Sequence, residues 1–150
     1  MKKLLSAILT LCLLCACAQC EPGSEGETLL DRVLRLVPDA AGLVRMSGDD
    51  LYDLIGIDPE SCVDWVYLAA ADALEGRELI VVLMPDAESA DEAETLLDHY
   101  LEARMRETRN YLPDAYQALS EASVVRQGCL LILSVAAPEA DEAALLLAEE

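Results

Sequence analysis

Phenylalanine is absent from this 150-residue chain, and histidine and tryptophan occur once each, as His99 and Trp65. Lysine occurs only at Lys2 and Lys3. Each shortage closes a class of function. With one histidine and scattered cysteines, a zinc site of His and Cys ligands lacks its donors. His99 falls in the middle of a charged segment, so it reads as a solvated helix residue and not as a catalytic base. No Gly-x-Ser-x-Gly, no His-Glu-x-x-His and no glycine-rich phosphate loop occurs. Ten basic residues against 29 acidic ones give a formal charge of −19. Phosphate binding needs a positive footprint, so nucleic acid is not an expected partner. An anionic membrane surface would repel the chain too. The charge reads first as solubility beside a membrane, with cation binding as the sharper alternative.

Long apolar runs are also missing, with one exception at the start. Met1-Lys2-Lys3 precedes Leu4 to Leu14, and Leu14-Cys15-Ala16-Cys17 follows. A basic n-region, a short apolar core and small residues before a cut are the layout of an export signal. Leu4 to Ala18 is shorter than the ~20 apolar residues of a membrane span. Cys17 follows Ala16, with Leu14 three residues back. This resembles the box of bacterial lipoproteins, whose new N-terminal cysteine receives lipid. Cys15 follows the bulky Leu14 and Cys20 follows Gln19, so both fit less well. Ala16-Cys17-Ala18 also makes a site for ordinary secretion, the second reading. Lipidation of Cys17 with palmitate-type chains is preferred on those flanks, and since one acyl chain holds weakly and two hold well, the diacyl or triacyl lipid expected there suits anchoring. The expected organisation is a signal peptide over 1–16, a flexible tether over 17–27 and one domain over 28–150. The tether is aperiodic Gly, Pro, Ser and Glu.

Cys17-Ala-Gln-Cys20 has redox spacing but sits at the cut, where it reads as processing chemistry. Cys62 and Cys129 are the only cysteines of the body. An exported chain permits a bridge between them. Their spacing does not demand one, and buried free thiols are the preferred reading.

Along the domain, Leu29, Leu30, Val33, Leu34 and Val37 share a helical stripe, with Asp31 and Arg35 paired i,i+4 outside it. Ser47 to Asp50 can cap a short helix closed by Gly56. Val63 to Ala71 and Glu78 to Met84 read as strands. Asp91 to about Arg109 reads as the longest helix, burying Ala93, Leu97, Tyr100, Leu101 and Met105. Pro113 can start another helix through Leu119. Ser123 to Val135 reads as a hairpin about Gly128, and Pro138 opens a last helix. Ala90-Asp-Glu-Ala93 recurs as Ala140-Asp-Glu-Ala143 after a β run each time. That is either a β-β-α internal repeat or, the preferred reading, the usual start of an alanine-rich helix. The expected fold class is α+β: a four-stranded antiparallel sheet with helices packed on one face.

Leu51-Tyr-Asp-Leu-Ile-Gly-Ile-Asp58, the Glu78-led β run, Leu101-Glu-Ala-Arg104, Tyr111-Leu-Pro113 and Gly128 occur in this order. Together with the lipidation box, the chain resembles the small clostridial lipoproteins of the domain-of-unknown-function 4358 family, over most of 46–136. The resemblance implies an exported or lipid-anchored α+β protein of unassigned activity. Cys129 departs from it, standing where an aromatic residue commonly follows the glycine.

Glu78, Arg104 and Tyr111 match family positions and are the candidate structural or binding residues. Arginine can hold a carboxylate through two parallel bonds. An ion pair pinning helix to sheet is preferred over a small-ligand site. Asp49-Asp50 and Asp86 to Glu92 offer oxygens to calcium, but both precede helices, where acids act as caps. No metal, no cofactor and no catalytic set is expected. The function expected is therefore a noncatalytic, lipid-anchored module of the outer membrane face, binding an envelope protein or a small polar ligand. The alternative is an envelope glycan hydrolase using paired carboxylates such as Glu78 and Asp72.

Overall fold

The computed structural model describes residues 27–72 and 74–136. The expected leader, Cys17, most of the tether and the helix expected after Pro138 lie outside the described residues. The Ala140-Asp-Glu-Ala143 copy of the suggested repeat lies there with that helix.

Helix α1 is Leu29–Leu36, and Thr28 caps it reciprocally. The Thr28 hydroxyl accepts from the Asp31 backbone N–H at 3.2 Å, and the Asp31 carboxylate accepts from the Thr28 N–H at 3.2 Å. The Thr28 hydroxyl also donates to the Asp31 carboxylate at 2.7 Å, and this bond first, then that from the Thr28 N–H, holds the Asp31 pKa below its ordinary value. Asp31 is thereby turned back to the helix start, and Arg35 bonds Glu27 at 3.1 Å instead of making the expected i,i+4 pair.

Five strands form the sheet: β1 (Val44–Arg45), β2 (Asp64–Ala69), β3 (Glu78–Leu83), β4 (Val124–Gln127) and β5 (Leu130–Val135). Their order is β1-β2-β3-β5-β4, with every neighbour antiparallel. Partners across a ladder share a face, so register sorts the core. Tyr67, Ile80 and Leu133 lie in one row, and Ala69, Glu78 and Val135 in the next. This face is covered by α3 (Ala87–Thr108) and α4 (Pro113–Glu121). Val66, Val81 and Ile132 point the other way, onto Leu29, Val33 and Val37.

The expected fold class needs two corrections. The sheet has five strands, not four, because β1 is a two-residue edge too short to show alternation. Helices cover both faces, not one. The sign of this was in the strands themselves: Leu79 to Val82 are apolar without a break and almost wholly inaccessible. Such runs mark strands buried on both sides.

Between β1 and β2 a three-residue helix, α2 (Gly48–Asp50), widens into a π turn over Leu51–Ile55. Ser47 and Asp50 cap it reciprocally, and Gly56 ends it at φ 90°, where a side chain would be strained. Helix α3 begins four residues before the expected Asp91, because the Asp86 carboxylate accepts from the Ser89 N–H at 2.8 Å. The acids considered for calcium at Asp50 and Asp86 are thus engaged as caps. Among the described residues, no three of His, Cys, Asp and Glu converge as a metal site. Arg126 fastens the β4–β5 hairpin to the start of α3. It bonds Asp91, Glu94 at 2.8 Å and the Ala87 carbonyl at 3.2 Å.

Cys62 is a free thiol, so no bridge joins it to Cys129. Burial pushes the Cys62 thiol up to about 11. Cys129 is buried.

Candidate functional site

Among the described residues, Glu78 is the one buried charged side chain, 5% exposed. Burying a carboxylate is costly unless it is paired and hydrogen-bonded. Both oxygens are accordingly engaged. Arg104 donates from Nη2 to Oε1 at 2.6 Å, and the Tyr100 hydroxyl donates to Oε2 at 2.5 Å. Tyr67 lies beyond, its hydroxyl 3.2 Å from that of Tyr100.

The local sequence explains the convergence. Tyr67 and Ala69 stand on the same sheet face as Glu78 by register. On α3, Tyr100, Ala103, Arg104 and Glu107 follow the i, i+3, i+4, i+7 spacing of a single helix face. The Arg104 guanidinium lies 6.0 Å from the centre of the Tyr100 ring. Burial first, then the charge of Glu78, pushes the Tyr67 phenol up to about 12. The same causes, joined by the hydrogen bond to Glu78, raise Tyr100 well above the ordinary phenol value.

This cluster forms one wall of a cavity of about 330 Å³. The loop between β2 and β3 adds Asp72, Gly76 and Arg77, while Met46 and Leu54 contribute apolar surface. Gly76 has φ 66° and no room beside it, since a Cβ there would lie 3.1 Å from Ala115. The loop is therefore held against α4. Leu54 is 53% exposed although large and apolar, and the π turn carries it to the cavity.

Of the three candidates read from sequence, Glu78 and Arg104 come together as an ion pair. Tyr111 does not join them. It sits in the turn after α3, 83% exposed, and is not part of the cavity lining. The tyrosines that complete the cluster are Tyr100, which the sequence placed in a core stripe, and Tyr67. Tyr100 precedes Arg104 by four residues, and that spacing was the available signal. Tyr67 needed the strand register and had none. His99, one residue from Tyr100, faces solvent.

The model of the family described as Domain of unknown function (DUF4358) matches residues 39–136. The chain belongs to this family. No curated protein and no solved structure matches it. The DUF4358 segment holds every cavity residue, from Met46 to Glu107, whereas α1 precedes it. Cys129 lies past the Leu83 end of β3, at the far end from Glu78. It is not part of the cavity lining.

Proposed function

We propose that this DUF4358 protein is a noncatalytic binding module, held by lipid on Cys17 at the extracytoplasmic face of the cell membrane. The observation that carries the binding half is the cavity. It joins charged groups of both signs, two phenols and apolar surface, the mixture typical of small-molecule sites. Its volume is near the lower end of their usual range, roughly 300–1,000 Å³. The anchoring half rests on the Lys2-Lys3 leader and the Leu14-Cys15-Ala16-Cys17 box, the features of the small clostridial lipoproteins it resembles.

A glycan hydrolase is the second reading, favoured by Asp72 and Glu78 lining one cavity. Two features weigh against it. Both Glu78 oxygens are already engaged, and Asp72 is exposed with its carboxylate accepting from the Leu74 N–H at 2.9 Å. A carboxylate serving as acid, base or nucleophile must be free to reach the sugar.

Metabolic labelling with a lipid precursor tests the anchor. Wild type should incorporate label and partition into the membrane fraction. Cys17→Ser should do neither. Labelling that survives Cys17→Ser contradicts the assignment.

A further inference from the structure

The direction of the hydrogen bonds says what the cavity lacks. Glu78 in its ion pair has only acceptors, so Tyr100 must use its single hydroxyl hydrogen on Oε2. The Tyr100 oxygen then accepts from Tyr67. The relay ends at the Tyr67 oxygen, which receives no donor from the described residues although Tyr67 is 2% exposed and lines the cavity. Asp72 and Glu107 add acceptors on the same cavity, and neither belongs to an ion pair among the described residues.

Donors are in surplus as well. The half-buried Arg77 belongs to no ion pair among the described residues. Arg104 gives Glu78 only one of its nitrogens, and its Nε is buried without an acceptor. A buried donor left unsatisfied costs on the order of 1–3 kcal/mol. Unpaired groups of both signs thus line one small cavity without pairing with each other, and this suits a ligand that carries both charges.

We infer that the cavity binds a zwitterion of amino-acid or short-peptide size, its carboxylate toward Arg77 and Arg104 and its ammonium toward Tyr67 and the acids Asp72 and Glu107. This rests on the binding-module reading and narrows its ligand class. Arginine's planar fork suits a carboxylate, and an ammonium offers three donors to the acceptors.

Titration calorimetry on the full-length protein in detergent tests it. L-alanine and L-alanyl-L-alanine are the zwitterionic probes. N-acetyl-L-alanyl-L-alanine lacks the ammonium, L-alanyl-L-alaninamide lacks the carboxylate, and glucose is the neutral probe. The better zwitterion should bind about tenfold more tightly than either capped dipeptide, the scale of one charge-assisted hydrogen bond. Arg77→Ala should lose that advantage with an unchanged melting temperature, and Glu107→Gln should weaken the amide-capped cation as well as the zwitterions. Equal binding of a capped form, or binding of glucose alone, overturns the zwitterion while leaving the cavity a binding site. No heat from any probe overturns the zwitterion and the binding-module reading together.

Discussion

Val81→Asp is expected to abolish the folded state. Val81 is fully inaccessible in the central run of β3 and faces α1, against Val33 and its neighbours. A carboxylate there has no cationic partner among the buried residues of that cluster, all of which are apolar. Desolvating an unpaired charge costs several kcal/mol. Lost apolar packing adds to that, and a domain of this size has only about 5–15 kcal/mol of net stability. Circular dichroism with urea unfolding should find no cooperative transition. Val44→Asp is the control: Val44 is 50% exposed on the edge strand, and surface changes of this kind stay within about 0.5 kcal/mol. If Val81→Asp melted like wild type, the packing of α1 on this face would be refuted.

Arg104→Ala should be the most damaging change at the cavity. It leaves Glu78 buried with Tyr100 as its only side-chain partner among the described residues. Removing one member of a buried ion pair costs roughly 3–5 kcal/mol. Arg104 is 27% exposed, so solvent screening reduces that to about 2 kcal/mol. For a domain of about a hundred residues this lowers the melting temperature by roughly 8 °C. Glu78→Gln removes the charge that Arg104 balances. The double variant should therefore melt above Arg104→Ala alone, the signature of coupling between the two sites. An unchanged melting temperature for Arg104→Ala would mean that the pair does not pin α3 to the sheet. The contrast with Arg77→Ala matters here. Arg77 supports no described ion pair, so binding can be lost at that position without loss of fold.

Local signals made most elements readable. The capping residue at Ser47, the breaks at Gly56 and Pro113, and the apolar runs after Glu78 and Cys129 all correspond to observed boundaries or strands. Of the expected stripe, Ala93, Leu97, Tyr100 and Leu101 are buried, while Met105 is only partly so. Three things needed long-range information. β1 exists only through its ladder to β2, since two residues carry no period. The placement of α1 opposite α3 depends on packing across the sheet, because unbroken apolar strands show that both faces are buried but not which helix covers each. At the cavity, Glu78 and Arg104 are 26 residues apart in sequence and meet through the packing of α3 on the sheet. Tyr111 was grouped with them from motif order. The helix ends at Thr108, and the following turn carries Tyr111 out to solvent.

Tyrosine resonances give the most direct view of whether the relay ending at Tyr67 receives a ligand. The full-length protein labelled at the tyrosine ζ-carbon has five such signals. On titration with L-alanyl-L-alanine, those of Tyr67 and Tyr100 should move together and saturate, while that of Tyr111 stays in place. A spectrum that does not change, or one in which only Tyr111 responds, would contradict the cavity as the binding site.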